Sequence, residues 1–371
     1  MMKVRYSYLQ QQFADPEEIF NEIRKLLQRG DFTLGAEVEK FEKSFARLIG
    51  TKYAIGVGSG TDALKLAMEA AGVGYGDEVI TAANTFIATI GAIHELGARP
   101  VLVDATPYYT IDASKIEAAI TPKTKAIMPV HFTGEVADME PILAIAKKHN
   151  LVVIEDACQS ISAAINDRNA GSMGLAAGFS LHPLKNLNVW GDAGVVVTNS
   201  EEIYNKVRLL RNHGMKNRDE IAIMGRNSRL DTLQAIVGNW LLPQTRFITD
   251  TRIANAAKYD ARLSQMKEFV TIAPRRKNVR QVYHLYMFEV DPVIRDRLVQ
   301  FLLDNSVDAK VHYPIPLPLQ EGLKQFGYKK GDFPLTERQA ARVVSLPVDQ
   351  HLNDEQINYA LDMVEKFFKS R

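Results

Sequence analysis

An α/β fold is predicted, with one large, mostly parallel sheet of seven strands followed by a smaller α+β unit. Three observations carry this. Short apolar runs recur at 53–57, 78–80, 100–103, 126–130, 151–154, 177–180 and 195–198. Helical patterns at 62–71, 87–96, 114–120, 139–150 and 201–212 separate them, as a sheet covered on both faces requires. After Gly225 the alternation gives way to long helical patterns and scattered strand-like runs. The chain is therefore divided into 1–245, a large unit with an N-terminal arm, and 246–371, a small C-terminal unit.

Taken in order, residues 1–14 read as an arm that packs on something else. Asp15 is placed as an N-cap, with Pro16 at the first helical position and Glu18 three residues past the cap. Helices follow at 16–27 and 37–49, and then the strand–helix alternation begins. Helical patterns at 231–242 and 253–266 form a connector. Beyond it, 283–290, 309–312 and 344–347 read as strands, and 295–305, 336–342 and 354–368 as helices.

The 371 residues are 46% apolar and 24% charged, which is enough for a sizeable core. A net charge of +1, without long runs of one sign, gives no reason to expect nucleic acid or an anionic membrane as partner. Cys158 is the single cysteine, which rules out an intrachain disulfide and any multi-cysteine metal site, so no metal is expected. No stretch approaches the roughly 18 apolar residues of a membrane span. The start, Met1-Met2-Lys3-Val4-Arg5, lacks the apolar centre of a signal peptide. A soluble, cytoplasmic protein is expected.

Chemistry-bearing residues gather just past strand ends. In Gly56-Val57-Gly58-Ser59-Gly60-Thr61-Asp62 a strand ends in a glycine-rich turn that opens a helix, a place suited to phosphate. Thr61 stands where a dinucleotide fingerprint wants glycine, and Asp77 and Glu78 precede a strand instead of ending one. A single phosphate on Ser59, Gly60 and Thr61 fits better. An ordinary turn capped by Ser59 fits this stretch alone equally well. Phe86 opens the helix after 78–80 and can stack on a flat ring, although alone it reads as core.

Asp156 follows the apolar run 151–154, and an acid buried there needs a cationic partner. A protonated pyridine nitrogen would be one, with Gln159 donating to a neighbouring phenolic oxygen. The blander reading has Asp156 cap the next segment. Lys185, in Ser180-Leu181-His182-Pro183-Leu184-Lys185, can hold an aldehyde as an imine and then move protons, with Ser180 joining Ser59 on the phosphate. A lysine alone is a solvated surface residue. Its combination with Asp156 and the glycine turn points to pyridoxal phosphate. All these groups lie at C-terminal ends of predicted parallel strands, where open α/β sheets bind ligands.

The same residues carry a resemblance. Gly58-Ser59-Gly60-Thr61-Asp62-Ala63-Leu64, Asn84-Thr85-Phe86-Ile87-Ala88 and Pro129-Val130-His131-Phe132-Thr133-Gly134 belong to it. So do Glu155-Asp156-Ala157-Cys158-Gln159, Phe179-Ser180-Leu181-His182-Pro183-Leu184-Lys185-Asn186-Leu187 and Gly225-Arg226-Asn227-Ser228-Arg229-Leu230-Asp231. In combination, from Gly35 to His351, the chain resembles the sugar aminotransferases of the DegT/DnrJ/EryC/StrS group. The resemblance implies an aspartate aminotransferase-like fold, fold type I of the pyridoxal phosphate enzymes. It implies transfer of an amino group from L-glutamate, less often glutamine, to a nucleotide-linked keto-sugar through a pyridoxamine phosphate intermediate. Lys185 would carry the cofactor, Asp156 would pair the pyridine nitrogen and Gln159 the phenolic oxygen. Ser59, Gly60, Thr61 and Ser180 would hold the phosphate, and Phe86 would stack on the ring. Asn227 would reach the phosphate of the neighbouring subunit in an obligate homodimer. Arg229, His312 and Tyr313 would line the sugar side.

The chain departs from the family pattern at Asn188 and Ala193, where glycines are usual, and at Pro318, where a histidine is frequent. These departures are read as touching the substrate side. Members with Lys-Asn-Leu tend to aminate carbon 3 of a hexose and those with Lys-Thr-Ile carbon 4, which favours a 3-keto-6-deoxyhexose over a 4-keto sugar here. A dehydratase of the same family would carry histidine in place of Lys185. A non-catalytic pyridoxal phosphate-binding regulator would need a nucleic-acid-binding surface, and a nicotinamide oxidoreductase would need glycine at 61.

Overall fold

The structure, a computed structural model, describes residues 2–369. The seven apolar runs form seven five-residue strands: β1 (Tyr53–Val57), β2 (Glu78–Ala82), β3 (Arg99–Val103), β4 (Thr124–Met128), β5 (Val152–Asp156), β6 (Ala176–Ser180) and β7 (Gly194–Thr198). They build one sheet in the order β1-β7-β6-β5-β4-β2-β3. Only β7 runs against its neighbours β1 and β6, and every other pair in the sheet is parallel. The C-terminal ends of β1, β2, β4, β5 and β6 therefore open at one edge of the sheet.

Burial on both faces explains why the strands read as continuous apolar runs. Val195 and Val197 of β7 join one core cluster and Val196 the other, as the two-residue period of a strand demands. The first cluster lies under helices α1 (Glu17–Arg29), α2 (Ala36–Ile49) and α3 (Thr232–Leu241), with Phe45 edge-on to Phe179 at 5.2 Å. The second lies under the helix Gly60–Ala70 and the helix Glu201–Leu210, through Leu64, Leu66, Ile203 and Val207. Gly50 ends α2 with φ +81°, a left-handed turn that a glycine adopts without strain.

The C-terminal part carries a three-stranded antiparallel sheet of Thr271–Ile272, Tyr286–Glu289 and Val343–Leu346. The helices Thr245–Leu263, Pro292–Asp304 and Asp354–Lys369 pack on it around Tyr259, Tyr286, Phe288, Leu298 and Leu361. A small antiparallel ribbon joins Ala164–Ile165, Arg168–Asn169 and Val279–Arg280. Among the described residues, no helix is long and apolar enough to cross a membrane.

Several expectations are corrected. The arm packs on its own chain: Val4 bridges Val307 and enters the C-terminal core. Helix α1 starts at Glu17 with Pro16 as its N-cap and no side-chain cap bond, so Asp15 does not cap it. The segment 114–120 forms two 3₁₀ turns, Ala113–Lys115 and Glu117–Ala119. Pro122 drives the preceding backbone out of the helical region before an α-helix can be completed. The segment 309–312 pairs only at Lys310 with Ser345, in a single bridge. The connector helix begins at Thr245, eight residues before its apolar pattern does, because its buried face there carries Thr245, Thr249 and Arg252.

At the sheet edge the backbone is closely packed. A Cβ on Gly194 would lie 2.1 Å from the Ser59 carbonyl oxygen and 2.8 Å from the Gly60 nitrogen. Both obstacles are main chain, so neither can swing aside. Gly194→Ala is expected to destabilise the fold by ~1–3 kcal/mol, the usual range for overpacking. Thermal denaturation reads this as a lowered Tm, and a Tm equal to wild type would show that the 58–60 turn yields freely.

Candidate active site

Strand β5 ends in two acids with opposite surroundings, because neighbouring residues of a strand face opposite sides of the sheet. Glu155 is fully buried. It accepts from the N–H groups of Gly171 (2.8 Å), Met173 (2.7 Å) and Gly174 (2.6 Å) and is 2.9 Å from His131 Nε2. The N–H of Ala137 donates to His131 Nδ1 at 3.1 Å, which leaves the ring proton on Nε2, facing Glu155. Burial pushes the Glu155 carboxyl up, but His131 and the backbone donors outweigh it and hold it below the usual range. Glu155 thus pins the 171–174 loop.

Asp156 faces a cavity of about 330 Å³ at the open sheet edge. Its Oδ2 accepts from the Thr89 hydroxyl at 2.7 Å and its Oδ1 from the Cys158 N–H at 3.1 Å. Thr89 is held in turn by Thr85 at 2.6 Å. Both carboxylate oxygens are therefore oriented before any ligand arrives. Lys185 reaches the same cavity from the loop after β6. Burial lowers the pKa of its ammonium, and the nearby Cys158 and Asp156 only partly restore it. A lowered ammonium pKa favours the neutral, nucleophilic amine relative to a solvated lysine.

The helix Gly60–Ala70 points its N-terminus at the cavity, and Gly60 and Thr61 line it. Ser59 caps that helix, its Oγ accepting from the Asp62 N–H at 3.0 Å. A Cβ on Gly60 would stand 2.6 Å from Ser180 Cβ, so glycine is required where helix and β6 meet. Unpaired first-turn N–H groups with two adjacent serines make a cradle for an anion. Gln159 is fixed by the Thr133 N–H donating to its Oε1 at 2.8 Å, which leaves the amide N–H₂ as a donor. The cradle, the oriented acid and the partly buried lysine together fit pyridoxal phosphate.

A family model described as the DegT/DnrJ/EryC1/StrS aminotransferase family matches residues 14–365. The chain belongs to this family. Among its relatives, the chain is 41% identical to a "Pleiotropic regulatory protein" of Geobacillus stearothermophilus, with 95% of each chain covered. It is 39% identical, again with 95% of each covered, to "dTDP-3-amino-3,6-dideoxy-alpha-D-galactopyranose transaminase" of Aneurinibacillus thermoaerophilus. Its fold matches the crystal structure of S. venezuelae DesV in complex with a ketimine intermediate at a TM-score of 0.95, with 35% identity over 99% of each chain. The protein is a pyridoxal phosphate-dependent sugar aminotransferase.

In this aminotransferase ten of the twelve residues singled out from the sequence line the cavity: Ser59, Gly60, Thr61, Phe86, Asp156, Gln159, Ser180, Lys185, His312 and Tyr313. The ring of Phe86 is half exposed and 5.8 Å from that of Tyr313. Asn227 and Arg229 do not line it. Asn227 is exposed and bridges Asn212, and Arg229 donates to Asn212 Oδ1 at 3.1 Å. The departures at Asn188, Ala193 and Pro318 were expected on the substrate side, yet none of them lines the cavity. All three are buried, Asn188 behind Lys185, because its amide is drawn to the Lys185 carbonyl at 3.0 Å.

Sequence reasoning missed Tyr6, Tyr8, Arg252, His284 and Asp349, which also line the cavity. The two tyrosines belong to the arm, where no periodicity marks them. Arg252 left one trace: with Thr245, Thr249 and Asn255 it forms a polar stripe at helical spacing, unusual for a solvated helix.

His312 is lowered to about 4 by burial, with Lys310 and Lys185 adding repulsion, and its Nδ1 is 2.9 Å from the Ser345 hydroxyl. It is therefore neutral at physiological pH. The neutral form is favoured by the fold, so its contribution to stability is complete above the unfolded value near 6.5 and is lost as pH falls toward 4. Urea unfolding of wild type and His312→Asn should show the wild type losing more stability than the variant between pH 7 and pH 4. Parallel pH dependences would mean that His312 is not held neutral.

Proposed function

We propose that this aminotransferase moves an amino group from L-glutamate to a nucleotide-linked keto-sugar, specifically a 3-keto-6-deoxyhexose. The observation that carries it is the meeting of Lys185 and Asp156, from adjacent parallel strands, at one cavity. The relative named for a 3-amino-3,6-dideoxy sugar supports the carbon-3 choice. When bound, the cofactor supplies the electron sink that lets an amino group pass from donor to acceptor.

The chain's own groups divide the remaining work. Asp156, held by Thr89 and Cys158, would pair with the cofactor's pyridine nitrogen and keep it protonated. The Lys185 amine holds the cofactor at rest. Once released, the amine would relay protons within each half of the reaction, passing on the one lost by the donor carbon and then supplying the one gained by the acceptor carbon. Ser59, Gly60, Thr61 and Ser180 would bind the phosphate, Phe86 would cover the ring and Gln159 would donate to the phenolic oxygen. Tyr313 stays protonated, pushed up to about 12 by burial and Asp156, and His312 stays neutral, so both meet sugar hydroxyls without net charge. Asn227, outside the cavity of its own chain, serves that of the neighbouring subunit in a cytoplasmic homodimer. Residues 1–245 and 246–371 are its two units, with the cavity between their edges.

An absorbance spectrum of the protein reconstituted with pyridoxal phosphate tests the centre of this reading. A visible band from lysine-bound cofactor should appear and should fade on adding L-glutamate. Lys185→Ala should lack the band and turnover while keeping the wild-type circular dichroism spectrum. Full activity in that variant would falsify the assignment.

Asp156→Asn should retain cofactor but lose about a hundredfold or more in kcat, the scale of removing one preorganised electrostatic group. If kcat is unchanged, Asp156 has no role at the ring nitrogen.

A further inference from the structure

Behind the cavity a chain of buried amides links three separate parts of the molecule. Asn188 Nδ2 donates to the Lys185 carbonyl at 3.0 Å and lies 3.5 Å from the Tyr8 hydroxyl. The Tyr8 hydroxyl donates to the same carbonyl at 3.0 Å, so both lone pairs of that oxygen are engaged. Asn188 Oδ1 accepts from Gln12 Nε2 at 2.8 Å. Gln12 Oε1 accepts from Gln350 Nε2 at 2.6 Å, and Gln350 Oε1 from Arg252 Nε at 3.2 Å. Arg252 also donates to the Tyr283 carbonyl at 3.1 Å, and its guanidinium lies 5.2 Å from the centre of the Tyr8 ring. Gln12, Asn188, Arg252 and Gln350 are exposed by only 7%, 0%, 2% and 6%.

Each amide in this chain uses its oxygen as acceptor and its nitrogen as donor, so the order of bonds is set along its whole length. A glycine at 188, the usual residue in the family, would leave the Gln12 amide and one lone pair of the Lys185 carbonyl unpaired in a buried place. The arm would keep only the Tyr8 hydroxyl as its tie to the loop that carries the lysine. Tyr6 and Tyr8, which form one wall of the cavity, belong to that arm.

We propose that Asn188 is a positioning residue that fixes the Lys185 loop and docks the N-terminal arm, so that Tyr6 and Tyr8 close their wall of the cavity. This rests on Lys185 being the cofactor lysine. The arm, the lysine loop and the C-terminal part then settle as one unit, because breaking any link exposes the next buried amide.

Wild type, Asn188→Gly, Gln12→Leu and the double variant decide it by two readouts. The first is hydrogen exchange over residues 8–14 in the cofactor-free protein. The second is steady-state kinetics of the holoenzyme. Each single variant is expected to speed exchange in the arm about tenfold and to lower kcat about tenfold or more through a misplaced lysine, while keeping the visible band. The double variant should be no worse than the worse single one, since both cut the same link. Wild-type exchange in both single variants, or effects that add in full, overturns the proposal. If Asn188→Gly does not fold, Gln12→Leu decides from the arm side. A wild-type protein without a visible band would instead remove the Lys185 reading, and arm exchange would still decide the docking.

Discussion

Asp156 stands opposite Gly178 in the parallel pairing of β5 and β6. Two residues further along β6, Ser180 pairs with Gly194 of the antiparallel β7. These registers set where the acid, the helix N-terminus at Gly60 and the lysine loop emerge relative to one another. A slip by one residue would turn Asp156 toward the opposite face, where Glu155 now sits among backbone donors, and would put Glu155 in the cavity. The chemistry therefore depends on strand register before it depends on any side chain. The two core clusters hold that register by demanding opposite faces from Val195, Val196 and Val197.

Close backbone approach is the second constraint. Gly60 meets Ser180, Gly178 meets Leu64 and Gly194 meets Ser59, each within contact distances that leave no room for a Cβ. These glycines draw the helix Gly60–Ala70 onto the ends of β6 and β7. The helix N-terminus then faces the same space as Asp156. An anion cradle at that place needs no cationic side chain, which leaves Lys185 free to act as a base.

Most of this was legible in the sequence. Apolar runs buried on both faces read clearly as strands, and strand–turn–helix order brought the glycine turn, Asp156 and Lys185 to one cavity. Three things were not legible. The arm has no periodicity, so nothing marked Tyr6 and Tyr8 as wall residues, and its docking depends on Gln12 meeting Asn188 across the fold. Arg252 sits on a helix whose buried face is polar there, which hid both the start of the helix and the charge it brings to the cavity. Asn188 reads from the sequence as a departure on the substrate side, whereas the loop turns its side chain away from the cavity and into the amide chain.

The charges around Lys185 follow a common logic. His182, His284 and His312 are all lowered, with burial the largest cause in each and repulsion from Lys185 among the others. Each cation makes every other one harder to form, so the positive charge is not shared out among the imidazoles. Asp156 works the other way and helps to hold the Lys185 proton. When Lys185 gives up its charge, one source of repulsion on the three histidines disappears. However, the burial that is the largest cause of their lowering remains through the change. Among these groups Asp156 favours the charged lysine, while the lysine disfavours charge on the imidazoles.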